Sequence, residues 1–132
     1  MDLNEGQELQ RCIDACLACY RTCQQTAMQH CLEVGGPHVE AQHMRLMNAC
    51  AEVCRASAHV MLAGIPQHAA VCAACAQICR ACAESCEDIG DMDECVRACR
   101  ECAQSCEEMS GGELGLASPL SPAQANPGQL AM

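Results

Sequence analysis

Residues 71–87 read VCAACAQICRACAESCE, in which cysteine recurs at alternating steps of three and four residues. The thiols are those of Cys72, Cys75, Cys79, Cys82 and Cys86. Because an α-helix turns by about 100° per residue, this spacing places all of them on one narrow stripe of a helix. Leucine or isoleucine normally occupies such a stripe in a soluble helix. The stretch therefore predicts an α-helix whose inward face is made of thiols.

Three other segments carry a stripe with the same spacing. The pattern CxxxCxxCxxxC starts at Cys75 within the quoted stretch and recurs from Cys12 and from Cys95. The three stripes hold Cys12, Cys16, Cys19, Cys23 and His30; His43, Met47, Cys50, Cys54, Ser57 and Met61; and Cys95, Cys99, Cys102, Cys106 and Met109. His68 begins the stripe of the quoted stretch, whereas Cys31 falls about 90° off the first stripe by the same rotation. The chain is therefore an internal repeat of cysteine-striped helices.

Turn signals separate the four segments, which cover about residues 4–34, 39–63, 67–88 and 92–109. Glycine and proline stand together at 35–37 and at 64–66, where neither residue favours a continuing helix. Because short connections force consecutive helices to be antiparallel, the sequence predicts an all-α, antiparallel up-down four-helix bundle with a cysteine-lined core over residues 1–109. Residues 110–132 are rich in Gly, Ser, Pro and Ala, and they are predicted to form a flexible or loosely docked tail.

Antiparallel order assigns the remaining stripe residues to the two ends of the bundle. One end gathers Leu9, Met61, His68 and Met109, and the other gathers His30, His43, Met47 and Met92. His38 and His59 lie off the stripes and are expected at the surface. A second stripe on the first helix, formed by Ile13, Leu17 and Tyr20, is expected to pack between helices or against another subunit.

Composition excludes several classes of partner. The 132 residues suffice for one modest core, and their net charge of −10, with no lysine, argues against nucleic acid or an anionic membrane as partner. The first ten residues, MDLNEGQELQ, lack the basic and apolar regions of a signal peptide, and no apolar run approaches transmembrane length. These features predict a cytoplasmic protein, in a compartment where thiols stay reduced.

Disulfide and redox chemistry fit the sixteen cysteines poorly. Residues three or four apart on a helix have Cβ atoms about 5–6 Å apart, whereas a disulfide needs about 3.5–4.5 Å. Neighbours within one helix therefore cannot pair without unwinding it, although bridges between helices stay open as an alternative. A redox catalyst needs one or two activated thiols beside a strand, and the pattern predicts no strand. The sequence therefore indicates a binding protein rather than an enzyme.

Metal binding remains, and charge favours Cu(I) among the soft ions that thiolates select. A zinc ion held by four thiolates keeps a net charge of about −2, and several such sites would be costly inside a narrow bundle. If each Cu(I) takes two sulfurs and each sulfur bridges two ions, the filled core is neutral and holds about sixteen ions. The loops that iron–sulfur clusters require are missing.

The repeated CxxxCxxCxxxC on successive helices resembles the bacterial copper storage proteins, in particular the cytosolic branch, over about residues 5–109. The resemblance implies a four-helix bundle that stores many Cu(I) ions along a cysteine-lined axis, assembles as a homotetramer, and loads through an end bearing His or Met. The second helix departs from the pattern because only two of its stripe residues, Cys50 and Cys54, are thiols, which leaves the number of ions open.

The candidate copper ligands comprise every cysteine together with six residues near the ends of the stripes. They are Cys12, Cys16, Cys19, Cys23, Cys31, Cys50, Cys54, Cys72, Cys75, Cys79, Cys82, Cys86, Cys95, Cys99, Cys102, Cys106, His30, His43, His68, Met47, Met61 and Met109. Metallothionein-like sequestration of zinc or cadmium, and a disulfide-linked structural bundle, are the alternative functions. The copper donor or acceptor is not indicated by the sequence.

Overall fold

The structure is a computed structural model that describes residues 3–111, with side chains from residue 5. Four long helices account for most of these residues, and no strand occurs within them. The helices are α1 (Leu3–Gln25), α2 (Ala41–Ala63), α3 (His68–Ile89) and α4 (Asp93–Met109). The predicted tail from residue 112 onward lies outside the described residues, and no helix among the described ones is long and apolar enough to cross a bilayer.

The helices form an antiparallel four-helix bundle, as the sequence predicts. α1 packs against α2 and α4, and α3 packs against the same two helices, so the four form a closed square. Short connections keep consecutive helices antiparallel. Gly64 ends α2 in the left-handed conformation at φ 75° and ψ 29°, where glycine carries no steric penalty. This arrangement directs all four cysteine stripes toward one central axis.

Small side chains allow the helices to approach the axis closely. The buried core consists mainly of cysteine and alanine, with few large aliphatic side chains. Alanines flank the thiols on α2, α3 and α4 at Ala51, Ala58, Ala76, Ala83 and Ala103. Because the core holds little bulk, thiols from all four helices meet in the middle of the bundle.

A π-helical turn extends α1 and corrects two sequence predictions. Residues Thr26–Cys31 form this turn, and Leu32–Val34 add a last α-helical turn. Since a π-helix has more residues per turn than an α-helix, the inward face passes through Cys23, Ala27 and Cys31, four residues apart, all buried. The prediction that Cys31 lies off the stripe is therefore wrong, and so is the placement of His30 on it, since His30 is only partly buried.

The connection from α1 to α2 corrects a third prediction, which concerns His38. A 3-10 turn at Gly36–Val39 precedes α2 and folds His38 back over the bundle end. Its side chain is 6% exposed and its ring lies edge-on to that of His30, with 5.1 Å between ring centroids. His38 is thus buried rather than at the surface, because the turn covers the end of the bundle. His59 is exposed as expected.

Candidate metal centre

All sixteen cysteines of the chain are free thiols, and all are buried. Their sulfur atoms form a column along the bundle axis, in which thiols of different helices lie within van der Waals contact. The Sγ–Sγ distances between helices include 3.5 Å for Cys16–Cys106, 3.5 Å for Cys54–Cys79 and 3.6 Å for Cys23–Cys99. Because these sulfur atoms face one another with no solvent contact, the column can place soft metal ions between helices.

The middle of the column consists of overlapping four-thiol groups, each of which draws on three helices. Within each group all sulfur atoms lie within 4.8 Å of one another. The groups are Cys16, Cys75, Cys102 and Cys106; Cys54, Cys75, Cys79 and Cys102; Cys19, Cys50, Cys54 and Cys79; and Cys19, Cys23, Cys50 and Cys99. Since successive groups share members, one sulfur can bridge ions in adjacent groups. The geometry therefore suits a continuous metal–thiolate cluster rather than isolated sites.

At the end where α1 begins, the column closes with a three-thiol group. Cys12, Cys72 and Cys106 come from α1, α3 and α4. The stripe of α2 continues past Cys54 with Ser57, whose side chain is fully buried and whose Oγ has no hydrogen-bond partner within the described part of the chain. This end is therefore built from three thiols and a hydroxyl-bearing side chain.

The opposite end mixes thiols with a thioether and an imidazole. The Met47 Sδ lies 3.5 Å from the Cys86 Sγ and 3.6 Å from the Cys82 Sγ. The His43 Nε2 lies 3.8 Å from the Cys31 Sγ. These are the neutral soft and borderline ligands that accompany thiolates in copper sites.

A hydroxyl group fixes the orientation of the His43 ring. Its Nδ1 lies 2.8 Å from the Ser85 Oγ, while the backbone N–H of His43 donates to the Glu40 carboxylate. Because Ser85 occupies Nδ1, the ring directs its other nitrogen, Nε2, toward the Cys31 thiol. Sequence reasoning missed Ser85, and its only signal is its place beside Cys86 on α3.

Burial determines which protonation states are favoured for the thiol and imidazole groups at the end of the bundle that holds His43. Burial raises the pKa of the Cys31 thiol, and nearby Cys95 and Cys82 add to the effect. Burial also lowers the pKa of His43 below its ordinary value of 6.5. The pKa of Cys54 in the middle of the column is raised as well, through its bonding to Cys102 and neighbouring thiols and through burial. At this end, burial therefore favours the neutral thiol of Cys31 beside the neutral imidazole of His43.

The other predicted ligands near the ends lie at different depths. Met61 is fully buried, and Met109 is partly buried against the core. His68 is partly buried at the end it was assigned to, where its Nδ1 lies 2.8 Å from the Ile65 carbonyl oxygen. The His30 Nε2 lies 3.4 Å from the Asp91 Oδ2. The structure thus places His30 and His68 at the rims of the bundle, whereas Met61 lies inside it.

A cavity of about 390 Å³ opens beside Cys95 at the end that holds His43. Its lining residues are Thr26, His30, Asp91, Met92, Asp93, Glu94 and Cys95. Three of these side chains are carboxylates, which attract a positively charged ion. The cavity therefore joins an acidic surface to a thiol of the column.

A four-helix bundle whose dry axis is lined by free thiols defines a class of soft-metal-binding proteins. The copper storage protein family (Csp) matches residues 5–111 of the chain. The chain belongs to this family.

Solved structures show the same fold. The Nmul_A1745 protein from Nitrosospira multiformis is 56% identical, with a TM-score of 0.80 over 82% of this chain and 99% of that one. The Cu(I)-bound copper storage protein BsCsp3 is 32% identical, with a TM-score of 0.72 over 78% of this chain and 98% of its own. The apo form of copper storage protein 3 from Bacillus subtilis is 32% identical, with a TM-score of 0.64 over 76% of this chain and 97% of that chain. No curated protein matches the chain.

Proposed function

We propose that this protein stores Cu(I) as a thiolate cluster along the axis of its bundle. The observation that carries the proposal is the column of buried thiols, in which successive four-thiol groups share sulfur atoms. Bridging sulfurs allow one ion per thiolate, so the loaded core stays neutral in a low-dielectric interior. Membership of the copper storage protein family supports the same role, and this role requires no catalytic turnover.

Charge disfavours zinc as the stored ion. Four thiolates around each Zn²⁺ leave a net charge of about −2 per site, and overlapping groups would accumulate that charge in a region that excludes water. Cu(I) accepts two or three thiolates and shares them with neighbouring ions. The sharing of Cys54, Cys75 and Cys102 between groups suits this mode of binding.

The proposed ligands of the cluster are all the cysteines, including Cys31, together with His43 and Met47. Copper is proposed to load at the end that holds these last two residues, through the acidic cavity beside Cys95. The thioether and the imidazole contribute no negative charge, so an ion bound there exchanges more readily than one in the thiolate column. Secondary roles in copper binding are proposed for His30 and His68 at the rims, for the partly buried Met109 and for Met61 inside the bundle.

Sixteen thiols without a disulfide suit a reducing compartment, so the protein is proposed to be cytoplasmic. A homotetramer is proposed from the family resemblance, and Leu17 on the outer face of α1 is 42% exposed and available for such packing. A separate copper donor and acceptor would complete the cycle of loading and release.

An anaerobic titration of the reduced protein with Cu(I), followed by native mass spectrometry, tests the storage role. Saturation near one ion per thiol, or about sixteen per chain, is the expected result. A parallel titration with Zn²⁺ serves as the control for metal identity. A plateau at about four ions, or displacement of bound copper by zinc, would point instead to separate tetrahedral sites. The same spectra report how many chains assemble.

A further inference from the structure

Ser57 is a buried polar residue that has no part in the copper storage role as proposed above. It stands on the inward stripe of α2, where Met47, Cys50, Cys54 and Met61 also lie. Its side chain is fully buried, yet its Oγ has no hydrogen-bond partner within the described residues. An unsatisfied buried hydroxyl destabilises a fold, and alanine would fill the same position without that cost. Retention of a hydroxyl here is therefore explained if it gains a hydrogen-bond partner in a state other than the metal-free one.

Helix register places Ser57 at the level of the three-thiol group. Cys54 lies one helical step earlier on the same face, and its sulfur is 3.5–3.8 Å from sulfurs of α3 and α4, those of Cys75, Cys79 and Cys102. One step toward the end of α2 reaches the next layer of thiols, which Cys12, Cys72 and Cys106 supply from the other three helices. Ser57 thus occupies the corner of that layer that a fourth thiol would fill.

Copper loading would create the missing acceptor. A protonated thiol is a weak hydrogen-bond acceptor, whereas a thiolate carries negative charge and accepts strongly in a dry interior. Thiolates at the end of a cluster bridge fewer ions than those in its middle, so they retain more of that charge. A fourth thiolate at position 57 would add to the negative charge of this layer. A hydroxyl that donates a hydrogen bond offsets that negative charge without adding a ligand.

We infer that Ser57 is a positioning residue that donates a hydrogen bond to a copper-bound thiolate of the Cys12–Cys72–Cys106 layer. The Ser57 hydroxyl lacks a hydrogen-bond acceptor in the metal-free protein and gains one, the thiolate, in the loaded protein. Ser57 therefore favours the loaded protein over the metal-free protein. This inference rests on the proposed copper storage function and names the residue that tunes one end of its cluster.

Two variants of opposite effect test the inference. Ser57→Ala is expected to leave the thermal midpoint of the metal-free protein unchanged or higher, because it removes an unsatisfied group. The same variant should weaken the binding of ions at this end about tenfold, as measured by anaerobic competition with a Cu(I) chelator. Ser57→Cys should raise the saturating number of ions by about one, since it completes the fourth corner of the layer.

Ser110→Ala is the matched control, because Ser110 is buried at the same end and its hydroxyl already donates to the Glu107 carbonyl at 2.9 Å. It should lower the metal-free midpoint without changing copper affinity. Ser57→Thr keeps the hydroxyl and should restore the affinity that Ser57→Ala loses.

Three results would overturn the inference: wild-type copper affinity in Ser57→Ala, no rescue by Ser57→Thr, or an unchanged ion number in Ser57→Cys. Failure of the wild-type protein to bind copper would instead refute the storage function itself.

Discussion

The ring of His43 lies inside the bundle, 3.8 Å from the Cys31 sulfur and 2.8 Å from the Ser85 hydroxyl. Burial disfavours the imidazolium form, so the pKa of His43 is lowered. In the neutral tautomer whose Nδ1–H donates to the Ser85 hydroxyl, the lone pair of Nε2 faces the Cys31 thiol, and this is the tautomer that can bind metal through Nε2. At the scale of the residue, the site is prepared by one hydrogen bond and by exclusion of water.

The lowered pKa of His43 predicts a pH dependence of the metal-free protein. The unfolded chain takes up a proton near pH 6.5, whereas the folded chain resists it to lower pH. The stability that this histidine contributes is therefore fully present above pH 6.5, and it is lost as the pH falls from there through the folded pKa. Thermal unfolding of the reduced protein between about pH 7.5 and 5.5 measures this loss.

His43→Gln is expected to reduce the slope of the thermal midpoint against pH. His59→Gln is the control on the same helix, because His59 is exposed, and it should keep the wild-type slope. Equal slopes in all three proteins would show that His43 does not titrate as its burial requires.

At the scale of the element, the sequence predicts the helices well because the cysteine spacing has a helical period. Every thiol placed on a stripe is buried in the structure. The period constrains a side chain only while the backbone stays α-helical, and the turn at Thr26–Cys31 breaks that condition. Ala27 interrupts the cysteine spacing at this turn. The sequence pattern therefore does not show the additional residue per turn of the π-helix, which directs Cys31 inward. His38 was missed for the same reason, because the 3-10 turn that buries it has no periodic signal.

The first turn of α2 provides a prediction about helix capping. The Glu40 carboxylate accepts a hydrogen bond from the His43 backbone N–H at 3.0 Å, and bonds from the His43 and Gln42 amides lower its pKa. Glu40→Ala removes this cap and is expected to lower the thermal midpoint by about 2–4 °C at neutral pH. It should also speed the loss of copper from the end that holds His43, because the cap holds that turn in place.

Glu52→Ala is the matched control for the cap. Glu52 lies on the outer face of α2 and pairs with the exposed Arg55 one turn away, so its removal should change the midpoint little. Chelator-driven copper release, followed by stopped-flow absorbance, measures the second effect. Identical release rates in Glu40→Ala and Glu52→Ala would show that the cap has no part in holding the loading end.

At the scale of the whole molecule, the thiols have two successive roles. In the metal-free protein they are small, neutral, buried groups that pack as a core. In the loaded protein they are proposed to be metal ligands in the same positions, so the bundle does not have to fold around its metal. The metal-free protein is accordingly predicted to fold as a four-helix bundle, unlike small metal domains that are unfolded without their ion.

This double role predicts that copper uptake releases protons. Because all the cysteines are buried, and burial away from water disfavours the charged thiolate, the thiols are expected to be protonated near neutral pH when no metal is bound. Each Cu(I) that binds a thiolate must then displace about one proton, so the loaded core keeps the charge of the empty one. If each ion displaces one proton, the affinity for copper should fall about tenfold when the pH drops by one unit.

An anaerobic titration with Cu(I) in weakly buffered solution, with a pH indicator, measures the released protons directly. Release should stay close to one proton per ion and stop at saturation, and the points beyond saturation serve as the internal control. Release of far fewer protons would mean that the cysteines of the metal-free protein are already thiolates. This result would refute the prediction that they are neutral thiols before copper binds. Acidification is therefore expected to favour copper release, because protons compete with the metal for the sulfurs.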